Sequence, residues 1–273
     1  MRLINRRPNA GASRILAALP FALIVAAYFV GSAVRRAENP ADKLLPSASS
    51  IVDAIDRMAF QVDQRTGDVL MWVDTIASLN RIIVALAIAT AISLVLSIVI
   101  GLLPYFRSLF GSFVAVASMV PPLALLPILF ITLGLGETSK IALIVIGVAP
   151  CLIRDMALRV EELPRQQMIK AQTLGASTWQ IILRIVLPQL LPRMIDAVRL
   201  QLGPAWLFLI AAEAIASESG LGYRIFLVRR YLAMDVIIPY VAWITLLAFI
   251  MDRLLLAAQQ RTFPWFSAAR SAA

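Results

Sequence analysis

IIVALAIATAISLVLSIVIGLL, from Ile82 to Leu103, is a run of 22 residues without a charge. At 1.5 Å per residue such a helix is about 33 Å long, enough to cross the hydrocarbon core of a bilayer. Pro104 ends the run, because proline has no N–H to continue the helical ladder. Blocks of the same kind recur on both sides. Ile15–Val34 is equally free of charge, and Leu109–Leu133 is interrupted by Pro121, Pro122 and Pro127. Ile141–Ile153 has only 13 residues and must borrow a turn at each end to span. Leu200–Ala216 contains Glu213, and Val236–Met251 has Pro239 near its start. The expected fold class is an all-α membrane protein with about six transmembrane helices. Five spans and a re-entrant segment is the alternative, because the fourth block is short.

Composition agrees. Apolar residues make up 60% of the chain and charged residues 15%, against about a quarter charged in a soluble domain. A cleaved secretory signal is not expected, since the first block is long enough to span and no small-residue cleavage site follows it. There is no histidine and one cysteine, Cys151. That excludes disulfides, Cys/His metal sites and histidine acid–base catalysis.

The net charge of +9 points to membrane orientation rather than nucleic acid, because Lys and Arg concentrate on the cytoplasmic side. With a cytoplasmic N-terminus, 15 of the 25 basic residues fall inside. Both termini are therefore expected in the cytoplasm. The whole chain reads as one domain. Residues 1–14 form a basic N-terminal segment, 15–258 the transmembrane part, and 259–273 a cytoplasmic tail. Residues 35–81 are then external, with Pro40 and Pro46 ahead of an amphipathic stretch from Ser50 to Phe60. That stretch reads as a short helix on the membrane surface or touching a partner, or as a solvated connection.

Residues 155–198 form a cytoplasmic loop with its own design. Pro164 suits a first helical turn, and Arg165–Leu174 reads as a helix stopped by Gly175, which tolerates the left-handed conformation. Ser177 and Gln180 have the spacing of a capping box. Ile181, Ile182, Ile185 and Val186 then give a second helix an apolar face, and Pro188 is expected to end it. Such a rigid knuckle suits force transmission; an ordinary hairpin packed on the spans is the alternative.

At these residues the chain resembles a known family. Gly175, nine residues, then Ile185, Leu187 and Pro188 match the glycine-to-I-x-L-P half of the EAA loop of ABC importer permeases. The front of the motif departs: Ile169, Lys170 and Ala171 stand in the Glu-Ala-Ala positions, and only the second alanine survives. The missing glutamate bears on any ion pair made there and leaves the elbow intact. "SLNR" at Ser78–Arg81, "GLGETSK" at Gly134–Lys140 and "AEAIASESGLGYRI" at Ala212–Ile225 look like the nitrate/sulfonate/taurine branch. The resemblance covers roughly residues 45–261. It implies the type I importer (MetI-like) permease fold, usually as a homodimer in a bacterial inner membrane. It also implies a separate cytoplasmic ATPase, carrying ATP and Mg, and an external solute-binding protein. The coupling residues it implies are Ile169, Lys170, Ala171, Gly175, Ala176, Ile185, Leu187 and Pro188.

The residues themselves agree with a division of labour. No G-x-x-x-x-G-K-[ST] occurs, so this chain has no P-loop for ATP and no enzymatic role is expected of it. Glu213 is the one charge well inside an apolar block, where charges are costly. Protonation, pairing with Arg224 or Lys140, a place at a gate, and a plain helix–helix hydrogen bond are all open to it. The prolines of the third block, with Gly203 and Pro204 in the fifth, point to these spans as the translocation path, with Ser118, Trp206 and Ser217 as candidate lining. Arg224, Arg229 and Arg230 would meet a binding protein, collect an anion, or lie in solvent. A stand-alone secondary transporter would need intramembrane ionisable groups and often paired repeats. A membrane enzyme would need convergent catalytic groups; neither pattern is visible.

Overall fold

The computed structural model describes residues 9–39, 43–64 and 66–266. Arg2, Arg6, Arg7, Pro40 and the end of the C-terminal tail, with Arg270, lie outside the described residues. Every regular element among the described residues is helical. The chain forms two compact units, Met1–Val69 with Val228–Val241, and Leu70–Leu227 with Ala242–Ala273.

The smaller unit contains α1 (Ala10–Glu38) and α2 (Ala48–Ala59). Asn9 starts α1 by accepting the Ala12 N–H at 2.8 Å. Its apolar side chains, among them Ile15, Phe21 and Ile24, are exposed nearly all round, as in a helix surrounded by lipid. Tyr28 donates to Pro46 O at 2.9 Å and Ser32 to Leu45 O at 3.0 Å, which ties the following segment to α1. Helix α2 is the expected amphipathic stretch, capped by Ser47. Its Ala54 is buried while Val52 is exposed, so its apolar side is only partly covered.

The larger unit is a bundle. It holds α3 (Leu70–Leu102), α4 (Pro104–Ala117), a 3₁₀ turn (Pro122–Leu125), α5 (Leu126–Leu133), α6 (Glu137–Glu161), α7 (Arg165–Thr173), α8 (Thr178–Ile181) and α9 (Leu187–Ala216). Most of α10 (Leu221–Arg229) and of α11 (Met234–Thr262) belongs to it too. Helix α3 starts 12 residues before Ile82, so residues 35–81 include its first three turns as well as α2. The 13-residue fourth block is the middle of the 25-residue α6, extended at both ends.

Lipid tails are as apolar as leucine, so helices in a membrane associate by close packing and polar contacts rather than by escape from water. Helix α3 is built for that. Ala85, Ala89, Ser93 and Ser97, spaced by four, are fully buried. This stripe of small side chains lets α6 approach, and Ser93 donates to Ala149 O at 3.2 Å.

The contacts fix the directions. Arg81 meets Glu137 and Ser93 meets Ala149, so α3 and α6 run parallel. Arg193 meets Glu162 and Glu213 meets Arg81, so α9 runs against both. Trp243 donates to Thr75 near the start of α3 and Gln259 to Pro192 O near the start of α9, which returns α11 to the direction of α3.

Among the described residues, four helices are long and apolar enough to cross a membrane: α1, α3, α6 and α11. A fifth candidate is the pair Pro104–Ala117 and Pro122–Leu133, bent by 85°. The bend falls at Pro121 and Pro122, where two missing N–H groups break the ladder. Because α3 and α6 are parallel, this pair must carry the chain back along the bundle, as one broken span does. The interruption is thus in the third block, not the short fourth. Helix α9, which contains the fifth block, falls short of the same apolarity because Arg193, Asp196, Arg199 and Glu213 lie along its 30 residues.

Candidate functional site

Two places concentrate unusual chemistry, one at each end of α9. The first is a buried charge cluster. Glu213 is fully buried on α9, and its partner is Arg81 of α3, whose Nη1 donates to Oε1 at 2.6 Å. Ser78, one turn earlier on α3, donates to the same carboxylate at 2.8 Å, and the Gly222 N–H donates at 2.8 Å. Neither Arg224 nor Lys140 reaches it. Arg224 donates to Asp74 at 2.7 Å, and Lys140 to Glu137 at 2.9 Å.

Arg81 uses its whole fork. Nε and Nη2 donate to Glu137 at 2.5 and 2.8 Å, and Nη1 also donates to Ser219 O at 2.8 Å. A planar guanidinium with five donors suits this bridging of three segments, whereas a lysine would reach one. The turn between α9 and α10 closes the cluster: Gly220 N–H donates to Asp74 at 2.9 Å and Leu221 N–H to Ser78 Oγ at 2.9 Å. Gly220, with φ +131°, lies so close to the carboxylate that a Cβ there would come within 2.5 Å of Glu213 Cδ. Only glycine suits both the conformation and the space.

Sequence reasoning singled out Glu213 but gave no role to Asp74, Ser78 or Arg81. Their spacing of four and three puts them on one face of a helix. That face, polar on an otherwise apolar helix, was the available signal. Of the candidate lining residues, Ser118 caps the end of α4 at the bend, where Arg154 Nη1 approaches its hydroxyl at 3.4 Å. Trp206 is buried, and its Nε1 has no hydrogen-bond partner; the buried Ser217 Oγ has none either. Of the three, Ser217 lines a cavity beside Arg81, the partner of Glu213, while Ser118 lies at the bend after α4.

The second place is the loop between α6 and α9. Helix α7 ends as a Schellman motif: Ala176 N–H donates to Ala171 O and Gly175 N–H to Gln172 O, both at 2.9 Å, with Gly175 at φ +79°. The capping box is complete, Gln180 N–H to Ser177 Oγ at 3.3 Å and Ser177 N–H to Gln180 Oε1 at 2.8 Å. Ile181 and Val186 are buried as expected. Pro188, however, does not end the second arm. The chain widens into a π-helical turn, Ile182–Val186, in which Leu187 N–H bonds Ile182 O, and then continues as α9 with Pro188 in its first turn. The wider turn makes room for the proline ring and its missing N–H. One arm of the knuckle is therefore continuous with the helix that carries Glu213.

The tip is apolar and uncovered. Ile169, Leu174 and Trp179 are 57%, 87% and 66% exposed. Lys170 and Gly175 are exposed beside them, while Ala171, Ala176, Ile185, Leu187 and Pro188 are half-buried.

Residues 93–264, which span this knuckle, Glu213 and the helices between, match the family described as binding-protein-dependent transport system inner membrane component. The chain belongs to that family of permeases. TauC, the taurine transport system permease protein of Escherichia coli (strain K12), is 36% identical over 198 residues, 72% of this chain and 72% of TauC. CmpB, the bicarbonate transport system permease protein of Synechococcus elongatus, is 28% identical over 185 residues, 67% of this chain and 66% of CmpB. A chain of the MetNI methionine ABC transporter in an inward-facing conformation superposes with a TM-score of 0.56 at 18% identity, covering 71% of this chain and 96% of that one. That likeness shows the fold, the helical MetI-like importer fold expected. The permease is the membrane component of an ABC importer.

Proposed function

We propose that the permease forms the translocation path for a small solute bearing an oxyanion, such as a sulfonate, taurine, bicarbonate or nitrate. The solute is delivered by an external binding protein. ATP with Mg is hydrolysed on a separate ATPase that docks on the knuckle, and the permease itself is not an enzyme. Two copies assemble in the bacterial inner membrane with both termini in the cytoplasm. Glu213, Ser118, Trp206 and Ser217 belong to the path or its gate.

The observation that carries this reading is the knuckle. A loop stiffened by a Schellman motif and a capping box presents Ile169, Leu174 and Trp179 to solvent. Exposed apolar side chains on a rigid frame mark an interaction surface. Lys170, Ala171, Gly175 and Ala176 shape that tip, and Ile185, Leu187 and Pro188 join it to α9. The substrate class is supported by the names of the relatives TauC and CmpB.

Copurification from detergent-solubilised membranes tests the docking. A P-loop ATPase should accompany the permease, and a preparation without one removes the reading. Gly175→Val should leave membrane insertion intact but abolish substrate-stimulated ATP hydrolysis in the reconstituted complex, since a β-branched residue resists the left-handed elbow.

A further inference from the structure

Resting on that reading of the substrate class, we propose that Arg81 and Lys140 form a binding site for one small oxyanion, sulfonate or bicarbonate, whose place the Glu137 carboxylate holds in this structure.

Glu137 receives two N–H bonds from Arg81, at 2.5 and 2.8 Å, and one from Lys140 at 2.9 Å. That is the donor set a planar or tetrahedral oxyanion takes from protein, a guanidinium fork and a point charge. The three side chains are not equally held. Those of Arg81 and Lys140 are 6% and 4% exposed, that of Glu137 57%. The anion is the member on the solvent side, and these two cations are its only hydrogen-bond partners among the described residues. Arg81 has a second anchor, Glu213 and Ser219 O through Nη1. It therefore keeps its position when Glu137 swings out. Lys140 has no acceptor but Glu137 among the described residues.

A cavity of about 430 Å³ adjoins the trio, lined by Arg81, Glu137, Lys140 and Ser217 among others. The Ser217 hydroxyl is buried there without a partner, a donor for a further oxygen of the ligand. Glu218 stands at the exposed rim, where water and salt screen its charge. With Glu137 withdrawn, the two buried cations Arg81 and Lys140 are left with the Glu213 carboxylate, since Asp74, the other buried carboxylate of the cluster, is paired with Arg224. Such an excess is costly away from water, and a small anion from solution removes it. Solute and Glu137 thus compete for the same donors, so the chain's own carboxylate both closes the site when empty and helps expel the ligand.

The full-length permease in lipid nanodiscs, titrated calorimetrically with sodium methanesulfonate and separately with sodium bicarbonate, tests this. Glu137→Gln should bind one or both about tenfold tighter than the natural protein, roughly the factor of one charge-assisted hydrogen bond. Lys140→Met in the Glu137→Gln background should lose that binding. Equal affinities with and without Glu137, or binding that survives Lys140→Met, overturn the proposal. Glu137→Asp, whose shorter carboxylate cannot span both cations, gives a second reading: affinity should rise, and an unchanged affinity counts against the site. These titrations need neither ATPase nor binding protein. A permease that copurifies with an ATPase yet shows no competition refutes this site alone. One that shows competition without an ATPase partner refutes the docking alone.

Discussion

At one end of α9, Arg81 and Glu213 meet across 132 residues of chain. At its other end, the bonds that shape the elbow at Gly175 join residues at most five apart. The charge cluster is buried and long-range; the knuckle is exposed and local. A local motif forms from its own residues and can be presented to a partner without help from the rest of the fold. A buried cluster has no such independence, because each charge is tolerable only while its partner is in place. Damage should therefore spread in the first region and stay confined in the second.

The largest effect is expected from Arg81→Met, which leaves Glu213 buried without its cation. Removing one partner of a buried pair costs about 3–5 kcal/mol, read as a lower melting temperature in detergent. Arg81→Met with Glu213→Gln should recover much of the loss, because no buried charge is then unpaired. If the double variant melts no higher than the single one, the cluster is not the unit described.

Gly220→Ala comes next. Its methyl group would press on the Glu213 carboxylate in a backbone conformation that alanine resists, at about 1–3 kcal/mol. It should lower the same melting temperature by less than Arg81→Met.

Ser177→Ala is the smallest. It removes one half of the capping box, about 1 kcal/mol of local helix stability. Amide exchange at Gln180 should quicken while the melting temperature of the bundle stays put. A fall in global stability would show that the knuckle is not as independent as its bonding suggests.

The knuckle was legible because its signals are short in sequence. Gly175, Ser177 and Gln180 each act within one turn, and the structure bears out their roles, while Pro164 stands at the N-cap of α7, just ahead of the first turn expected for it. Pro188 was misread for the complementary reason. Alone it stops a helix, but here a π-helical turn absorbs it, and the tertiary packing of α9 holds the arm straight. Glu213 stood out as a charge in an apolar block, yet its partner lay on a helix whose first turns read as an external segment. Arg224 and Lys140 were the partners the sequence offered, and no local rule points to Arg81 instead.

The sequence by itself determined that this chain spans a membrane, where the spans fall and how the loop is capped, because hydropathy and capping depend on neighbours within a turn or two. Its likeness to ABC importer permeases was readable on the same terms. The tertiary structure alone decided that Arg81, not Arg224 or Lys140, serves Glu213. It also decided how sharply the proline-broken third block bends, and that Glu137 occupies the donors of two buried cations. Those outcomes depend on which helices lie side by side, and pairing of charges in a low-dielectric interior is decided by that proximity.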